Sequence, residues 1–210
     1  LDCVALVVAA GRGKRFGGDI PKQYINLNGI TLLRRSLEVL ISNHHIQNIK
    51  VVIHPDDIEF YNEATEGLNI LDPVFGADQR QESVRLGLQS FKQINPHYVL
   101  IHDAVRPFLT NDTIDALLTS LETQQLAVIP GLPVKDSLKR AKNNRIITSV
   151  DRTDMWQAQT PQGFNYKAIM EAHKSMIGLN LTDDAAVAEK NGISVEVIEG
   201  SSVNFKVTTP

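Results

Sequence analysis

Between Val4 and Tyr24 an apolar run ends at Gly11 and Gly13, and Arg12, Lys14 and Arg15 follow close together, with Lys22 after Pro21. Glycines let a backbone come close to a ligand, and clustered cations oppose phosphate charge, so this segment is suited to hold a polyphosphate. Taken alone, it also reads as a solvated basic loop. The pattern G-x-x-x-x-G-K-[ST] is absent, which excludes a Walker-type ATPase. The dinucleotide fingerprint G-x-G-x-x-G breaks at Phe16, and His54-Pro55 stand where a ribose-binding acid belongs. A dinucleotide fold neutralises its pyrophosphate largely with a helix dipole. Arg12, Lys14, Arg15 and Lys22 together fit a triphosphate better.

A second group runs His102-Asp103-Ala104-Val105-Arg106-Pro107. Asp103 follows a buried strand at a carboxyl edge, where open α/β sheets bind ligands. Facing a polyphosphate, it suits Mg²⁺, which takes one or two carboxylates plus phosphate oxygens. The alternatives are a turn cap or a pair with Arg106. His102 reads as a structural residue. A third group, Gly76-Ala-Asp78-Gln-Arg80-Gln-Glu-Ser83, opens a helix. Its amides can read a base edge or hold an anion, although Asp and Ser are ordinary first-turn residues. Arg152 and Lys206, at strand ends far apart in sequence, are either further cations of the site or solvated charges.

The elements that must position these groups alternate. Strands are expected at Val4–Ala9, Lys50–His54, Tyr98–His102, Ala127–Pro130 and Ser194–Ile198. Helices are expected at Leu32–Ile41, Asp57–Glu66, Gln79–Phe91, Thr113–Thr123, Tyr166–Met176 and Asp183–Lys190. Caps are expected at Thr31, at Thr110 or Asn111, and at Thr182 with Asp183 and Asp184 in the first turn. Such alternation predicts βαβ units and a mainly parallel sheet covered on both faces, with the first, third and fourth strands central. From about 133 to 152 the rhythm breaks. Ser137–Ala141 and Arg145–Val150 flank Lys142-Asn143-Asn144, a hairpin signal. A lone hairpin is marginal in water, so this one packs on its own domain or, the favoured reading, is an arm that pairs with a second subunit.

At 210 residues the chain fits one large domain or two small ones, and a formal net charge of −3 with 42% hydrophobic residues is ordinary for a globular protein; a single domain over 1–210 is expected. A mildly acidic balance argues against nucleic-acid binding. No apolar run approaches the ~20 residues of a membrane helix, and no secretory signal is visible, so the cytoplasm is expected, or an organelle with the targeting peptide absent. Cys3, the single cysteine, excludes an internal disulfide and reads as a core residue. Lys206-Val-Thr-Thr-Pro210 reads like the middle of a longer chain.

Over essentially its full length the chain resembles the 2-C-methyl-D-erythritol 4-phosphate cytidylyltransferase family. The motifs are A-A-G-x-G-x-R at Ala9–Arg15, P-K-Q-Y at Pro21–Tyr24, R-x-x-S-V at Arg80–Val84 and H-D-A-x-R-P at His102–Pro107. V-K-D-S at Val134–Ser137, V-D-R at Val150–Arg152, T-P-Q at Thr160–Gln162, T-D-D at Thr182–Asp184 and N-x-K-V-T at Asn204–Thr208 follow in order. The resemblance implies a Rossmann-like three-layer fold of the nucleotide-diphospho-sugar transferase type, a homodimer joined by the hairpin arm, and Mg²⁺-dependent (or other divalent cation-dependent) transfer of CMP from CTP to methylerythritol phosphate.

By the same resemblance, Arg15 and Lys22 stabilise the transition state, while Arg152 and Lys206 position the acceptor phosphate. Ala9, Ala10, Gly11, Gly13, Gly76, Asp78, Ser83, Asp103 and Ala104 belong to the nucleotide site, with Asp103 binding the metal. Arg106, Ser137, Arg152 and Thr160 belong to the acceptor site. Ser137 stands where relatives often have Thr, and Val203 where some have Asp. A ribitol-5-phosphate cytidylyltransferase and a non-catalytic nucleotide-binding module are the rival functions. In some bacteria the family's domain is fused to the cyclodiphosphate synthase of the same non-mevalonate isoprenoid pathway, so a bifunctional bacterial protein is a further expectation.

Overall fold

The computed structural model describes residues 2–12, 20–123 and 125–208. The strands are β1 (Cys3–Ala9), β2 (Asn26–Leu27), β3 (Ile30–Thr31), β4 (Ile46–Ile53), β5 (Val74–Phe75) and β6 (Tyr98–Asp103). They continue with β7 (Ala127–Pro133), β8 (Leu138–Lys142), β9 (Arg145–Val150), β10 (Trp156–Ala158), β11 (Gln162–Asn165) and β12 (Glu196–Glu199). The helices are α1 (Leu32–Ser42), α2 (Ile58–Thr65), α3 (Arg80–Gln89), α4 (Asn111–Glu122), α5 (Tyr166–Ser175) and α6 (Asp184–Lys190). Among the described residues the main sheet has eight strands in the order β10-β7-β11-β6-β1-β4-β5, with β12 also on β7.

β1 runs through the middle, parallel to both β4 and β6. Its side chains show the period-2 alternation of a strand buried on both faces. Cys3, Ala5, Val7 and Ala9 join Leu33, Leu37, Leu117 and Leu121 on the side of α1, α2 and α4. Val4 and Leu6 join Val84, Leu88, Ile169 and Val187 on the side of α3, α5 and α6. The result is the three-layer, mainly parallel arrangement that the alternation predicts. Cys3 is fully buried, and burial pushes its thiol up to about 12, so it is an inert core residue. Gly87 sits inside α3 at a helix-propensity cost of ~1 kcal/mol. A Cβ there would lie 2.7 Å from Leu6 and Val52, so the glycine lets α3 settle on the sheet.

The expected elements are present, with shifted ends. β12 begins two residues later than expected, and a 3-10 turn, Pro55–Asp57, precedes α2. Thr31 caps α1 by accepting from the Arg34 amide, whereas Asp183 rather than Thr182 caps α6. Thr110 occupies the N-cap of α4 without a side-chain bond. Five strands are additions, of which β2 and β3 form a small separate pair. β11 wedges antiparallel between β6 and β7, and Gln-Gly-Phe-Asn has no β-branched residue to announce it. β5 is two residues long, and β10 pairs with the end of β7. The hairpin β8–β9 forms a separate two-stranded sheet, closed by Asn143 and Asn144 alone at φ 50° and 59°. Those values fit a two-residue type I′ turn, so Lys142 belongs to the strand.

Candidate active site

The carboxyl ends of β1 and β6 open onto a cavity of about 260 Å³. Ala9, Ala10 and Gly11 from the end of β1, Asp103 and Ala104 from the end of β6, and Lys22 form one part of its wall. Asp78, Arg80 and Ser83 enter from the start of α3, and Lys206 from the C-terminal segment. Nine of the sequence-predicted nucleotide and catalytic positions therefore meet at one place: Ala9, Ala10, Gly11, Lys22, Asp78, Ser83, Asp103, Ala104 and Lys206. Gly13, Lys14 and Arg15 lie outside the described residues.

Asp103 is the electrostatic centre. Its Oδ2 accepts from Lys206 Nζ at 2.8 Å, and its Oδ1 accepts from Arg80 Nη2 at 3.4 Å. Burial alone would raise its pKa, but Arg80 and Lys206 outweigh that and hold it well below the usual carboxylate range. Its own amide is anchored by Thr160 Oγ1 at 3.1 Å. The Arg106 alternative is weak, with Nε 4.0 Å away. The charge chain continues inward. Arg80 Nη2 donates to Asp184 Oδ2 at 2.9 Å, and Asp184 Oδ1 lies 3.1 Å from His173 Nε2. Asp184 is 1% exposed at its side chain, so this network is anchored in the interior.

His102 takes the structural place expected of it. Its ring bonds Thr160 Oγ1 and the Arg106 carbonyl, and burial pushes it down to about 4. It is neutral and enclosed, unsuited to shuttle protons with a ligand.

Five expected ligand residues do not line the cavity. Gly76 lies beneath it, and a Cβ there would come within 2.7 Å of both Ala10 Cβ and Ser83 Oγ. The glycine serves close packing between the loop before α3 and the end of β1. Thr160 is buried and spent on His102 and the Asp103 amide. Arg106 is buried and donates to the Asn204 carbonyl at 2.7 Å, which fixes the segment carrying Lys206. Ser137 and Arg152 are exposed at the base of the β8–β9 hairpin, and Arg152 borders a different depression with Lys135 and Trp156. Ser83 does line the cavity, but its hydroxyl already bonds both the amide and the carbonyl of Ala77 at 3.0 Å.

Arg12 departs furthest from expectation. It turns away from the cavity to Asp56, Asp57 and His54 on the turn after β4. The sequence assigned no part in the site to Gln23, Arg80 or Asp57, and to Asp184 only a place in the first turn of its helix. For Asp184 the doubled acid of T-D-D was the available signal, since one cap uses only one carboxylate.

Asp103 and Asp78 are the carboxylates at the wall, and among the described residues no group of three metal-ligating side chains occurs. That set fits a magnesium ion held mostly by phosphate oxygens and water, and it does not fit a metal bound by protein alone.

Comparison with known proteins agrees with this geometry. The family described as 2-C-methyl-D-erythritol 4-phosphate cytidylyltransferase (IspD) matches residues 3–210. The chain belongs to this family. Among curated relatives it is 51% identical to the bifunctional enzyme IspD/IspF of Paramagnetospirillum magneticum, over 98% of this chain and 53% of that protein. It is 48% identical to the bifunctional IspD/IspF of Rhodospirillum rubrum with the same coverage. The chain thus spans about half the length of the curated relatives it matches. The crystal structure of Francisella tularensis 2-C-methyl-D-erythritol 4-phosphate cytidylyltransferase superposes with a TM-score of 0.85 at 30% identity, covering 100% of this chain and 95% of that one. The IspD fold is therefore shared throughout. Among the described residues, no helix is long and apolar enough to cross a membrane.

Proposed function

We propose that this chain transfers CMP from CTP to 2-C-methyl-D-erythritol 4-phosphate, giving 4-diphosphocytidyl-2-C-methyl-D-erythritol and pyrophosphate. The observation that carries this reading is the cavity itself: Arg80 and Lys206 on the ionised carboxylate of Asp103, with Lys22 at the same wall, at the ligand-binding edge of a family-typical sheet. The acceptor is a phosphate monoester whose second pKa is ~6, so it is largely dianionic at neutral pH and needs no general base. The neutral, enclosed His102 agrees with that. An acceptor oxygen attacks the α-phosphorus in line, and pyrophosphate leaves. The chain brings two anions together and stabilises charge as it develops, which makes catalysis mostly positioning and electrostatics.

Asp103 is the residue that would hold Mg²⁺, whose charge would offset that of the triphosphate. Lys22, at the wall, faces the phosphates. Lys206 is steadied by Asp103 and, through Arg106, by the segment around Asn204. The direct test supplies CTP and Mg²⁺ with either methylerythritol phosphate or ribitol 5-phosphate and measures pyrophosphate release. Release with the first acceptor alone is expected. Release only with the second would select the rival transferase, and CTP binding without any release would select the non-catalytic module. Lys22→Ala is expected to lower kcat by roughly a hundredfold, on the scale of ~3 kcal/mol for one lost charge-stabilising donor.

The arm supports a homodimer. Ile146 and Ile147 lie at a bulge in β9, where Ala141 pairs with Ile146 and Arg140 with Thr148, and they are 68% and 61% exposed. A two-stranded hairpin with both faces bare lacks the burial that keeps such ribbons folded. A second copy would cover it, and would also bear on Ser137 and Arg152 at its base, which one chain leaves outside the cavity. Ile147→Asp is expected to shift the mass measured by light scattering from dimer to monomer. A wild-type chain that is monomeric at tens of micromolar would refute the arm's role.

A further inference from the structure

The glycine-rich segment is flanked by two described points, Arg12 before it and Lys22-Gln23 after it. Both flanks converge on Asp57, in the turn that follows β4. Arg12 Nη1 donates to Asp57 Oδ1 at 2.9 Å. Its Nη2 reaches Asp56 Oδ2 and also His54 Nδ1, the latter at 2.9 Å. His54 Nδ1 also accepts from the Asp56 amide at 3.1 Å, so the imidazole belongs to the same turn. From the other flank, Gln23 Nε2 donates to the Ala9 carbonyl at 2.7 Å and lies 3.5 Å from Asp57 Oδ2.

The placement is informative because Asp57 and Gln23 are each 1% exposed and Arg12 is not at the cavity wall. Its neighbour Gly11 is at the wall, and so is Lys22 beside Gln23. β1 and β4 are adjacent and parallel, with Ala9 opposite Ile53, so the turn after β4 stands directly beside the segment leaving β1. The planar guanidinium spans acceptors on three residues, a task for Arg and not for Lys. With two carboxylates on it, its charge is spent within the turn.

We propose that Asp57, aided by Asp56 and His54, is an anchor for both flanks of the phosphate-binding segment, and that Arg12 is a positioning residue and not a phosphate ligand. The anchor sets where Gly11 and Lys22 stand when the nucleotide arrives. This inference rests on the CTP-binding reading above.

The experiment is a double-mutant cycle on the full-length protein, with Arg12→Gln, Asp57→Asn and the pair, read as the Kd for CTP with Mg²⁺ by calorimetry. Each single variant is expected to weaken CTP roughly tenfold, and the pair no more than the worse single, because neighbours acting through one contact are non-additive. Kd for methylerythritol phosphate should stay within about twofold, which a general loss of folding would not allow. Arg12→Lys should remain impaired. Should Asp57→Asn fail to fold, Asp56→Asn, at an exposed side chain, replaces it in the cycle with the same expected non-additivity. Three results overturn the inference while leaving the CTP reading intact: additive losses, rescue by Arg12→Lys, or tighter CTP binding once a carboxylate is removed. Each would mean that Arg12 contacts phosphate itself. A wild-type protein that does not bind CTP removes both.

Discussion

Asp103→Asn is expected to lower kcat by two to three orders of magnitude while leaving a folded protein. The substitution preserves shape and removes one charge from the most charge-dense point of the cavity. Lys206 and Arg80 both lean on that carboxylate, at 2.8 and 3.4 Å. Without it, Lys206 has no anion to steady its ammonium, and two like charges face each other across a neutral amide. The proposed metal ligand is lost in the same step. Losing one preorganised charge-stabilising group costs about 10²–10³ in kcat in well-studied sites, and here one residue serves several such groups. Asp103 is held far below the ordinary carboxylate pKa, so the wild-type residue is ionised throughout neutral pH. The amide therefore mimics a protonated state that the native site never visits in that range. Steady-state kinetics beside a thermal melt would check this, and a variant within tenfold of wild-type turnover would remove Asp103 from the centre of the site.

Arg80→Met should act mainly on stability. Its guanidinium joins Asp184, 1% exposed, to Asp103, 11% exposed at the side chain. Burial opposes the charge of Arg80, but Asp184 and Asp103 outweigh it and keep the guanidinium firmly protonated. Removing one partner of a buried pair strands the other, at a cost of about 3–5 kcal/mol. The loss should sit near the low end, on the order of 3 kcal/mol, because Arg80 is partly open to the cavity and His173 still faces Asp184. Pairing it with Asp184→Asn should recover part of the loss, since the stranded charge is then gone. Urea unfolding of the four proteins measures this directly. Equal and additive losses would mean that the bridge contributes nothing of its own.

The network behind that prediction also shows what was hidden in the sequence. Asp183 and Asp184 read alike as acids favoured in the first turn of a helix. In the fold Asp183 caps α6, while Asp184 points inward to a guanidinium 104 residues away. Local preference describes the first and cannot describe the second. Arg12 teaches the same lesson in reverse. By composition it is one more cation beside a glycine loop, and its partners sit on a turn 42 to 45 residues later. Thr160 and Arg106 belong to recognisable motifs, yet they serve by bracing Asp103 and the Lys206 segment from behind.

The sequence by itself determined the layer architecture, the direction of the central strands and the residues that gather at their carboxyl edge. Those properties follow from period-2 and helical patterning and from glycines and charges at strand ends, all of which act over a few residues. It also announced the hairpin β8–β9, through an Asn-Asn turn between two short strands. Only the tertiary structure decided which cations face the cavity and which are engaged elsewhere, that β11 enters the sheet antiparallel, and that one chain leaves Ser137 and Arg152 outside the site. Those outcomes depend on partners brought together from distant positions, where burial strengthens each charge pairing and makes its absence costly.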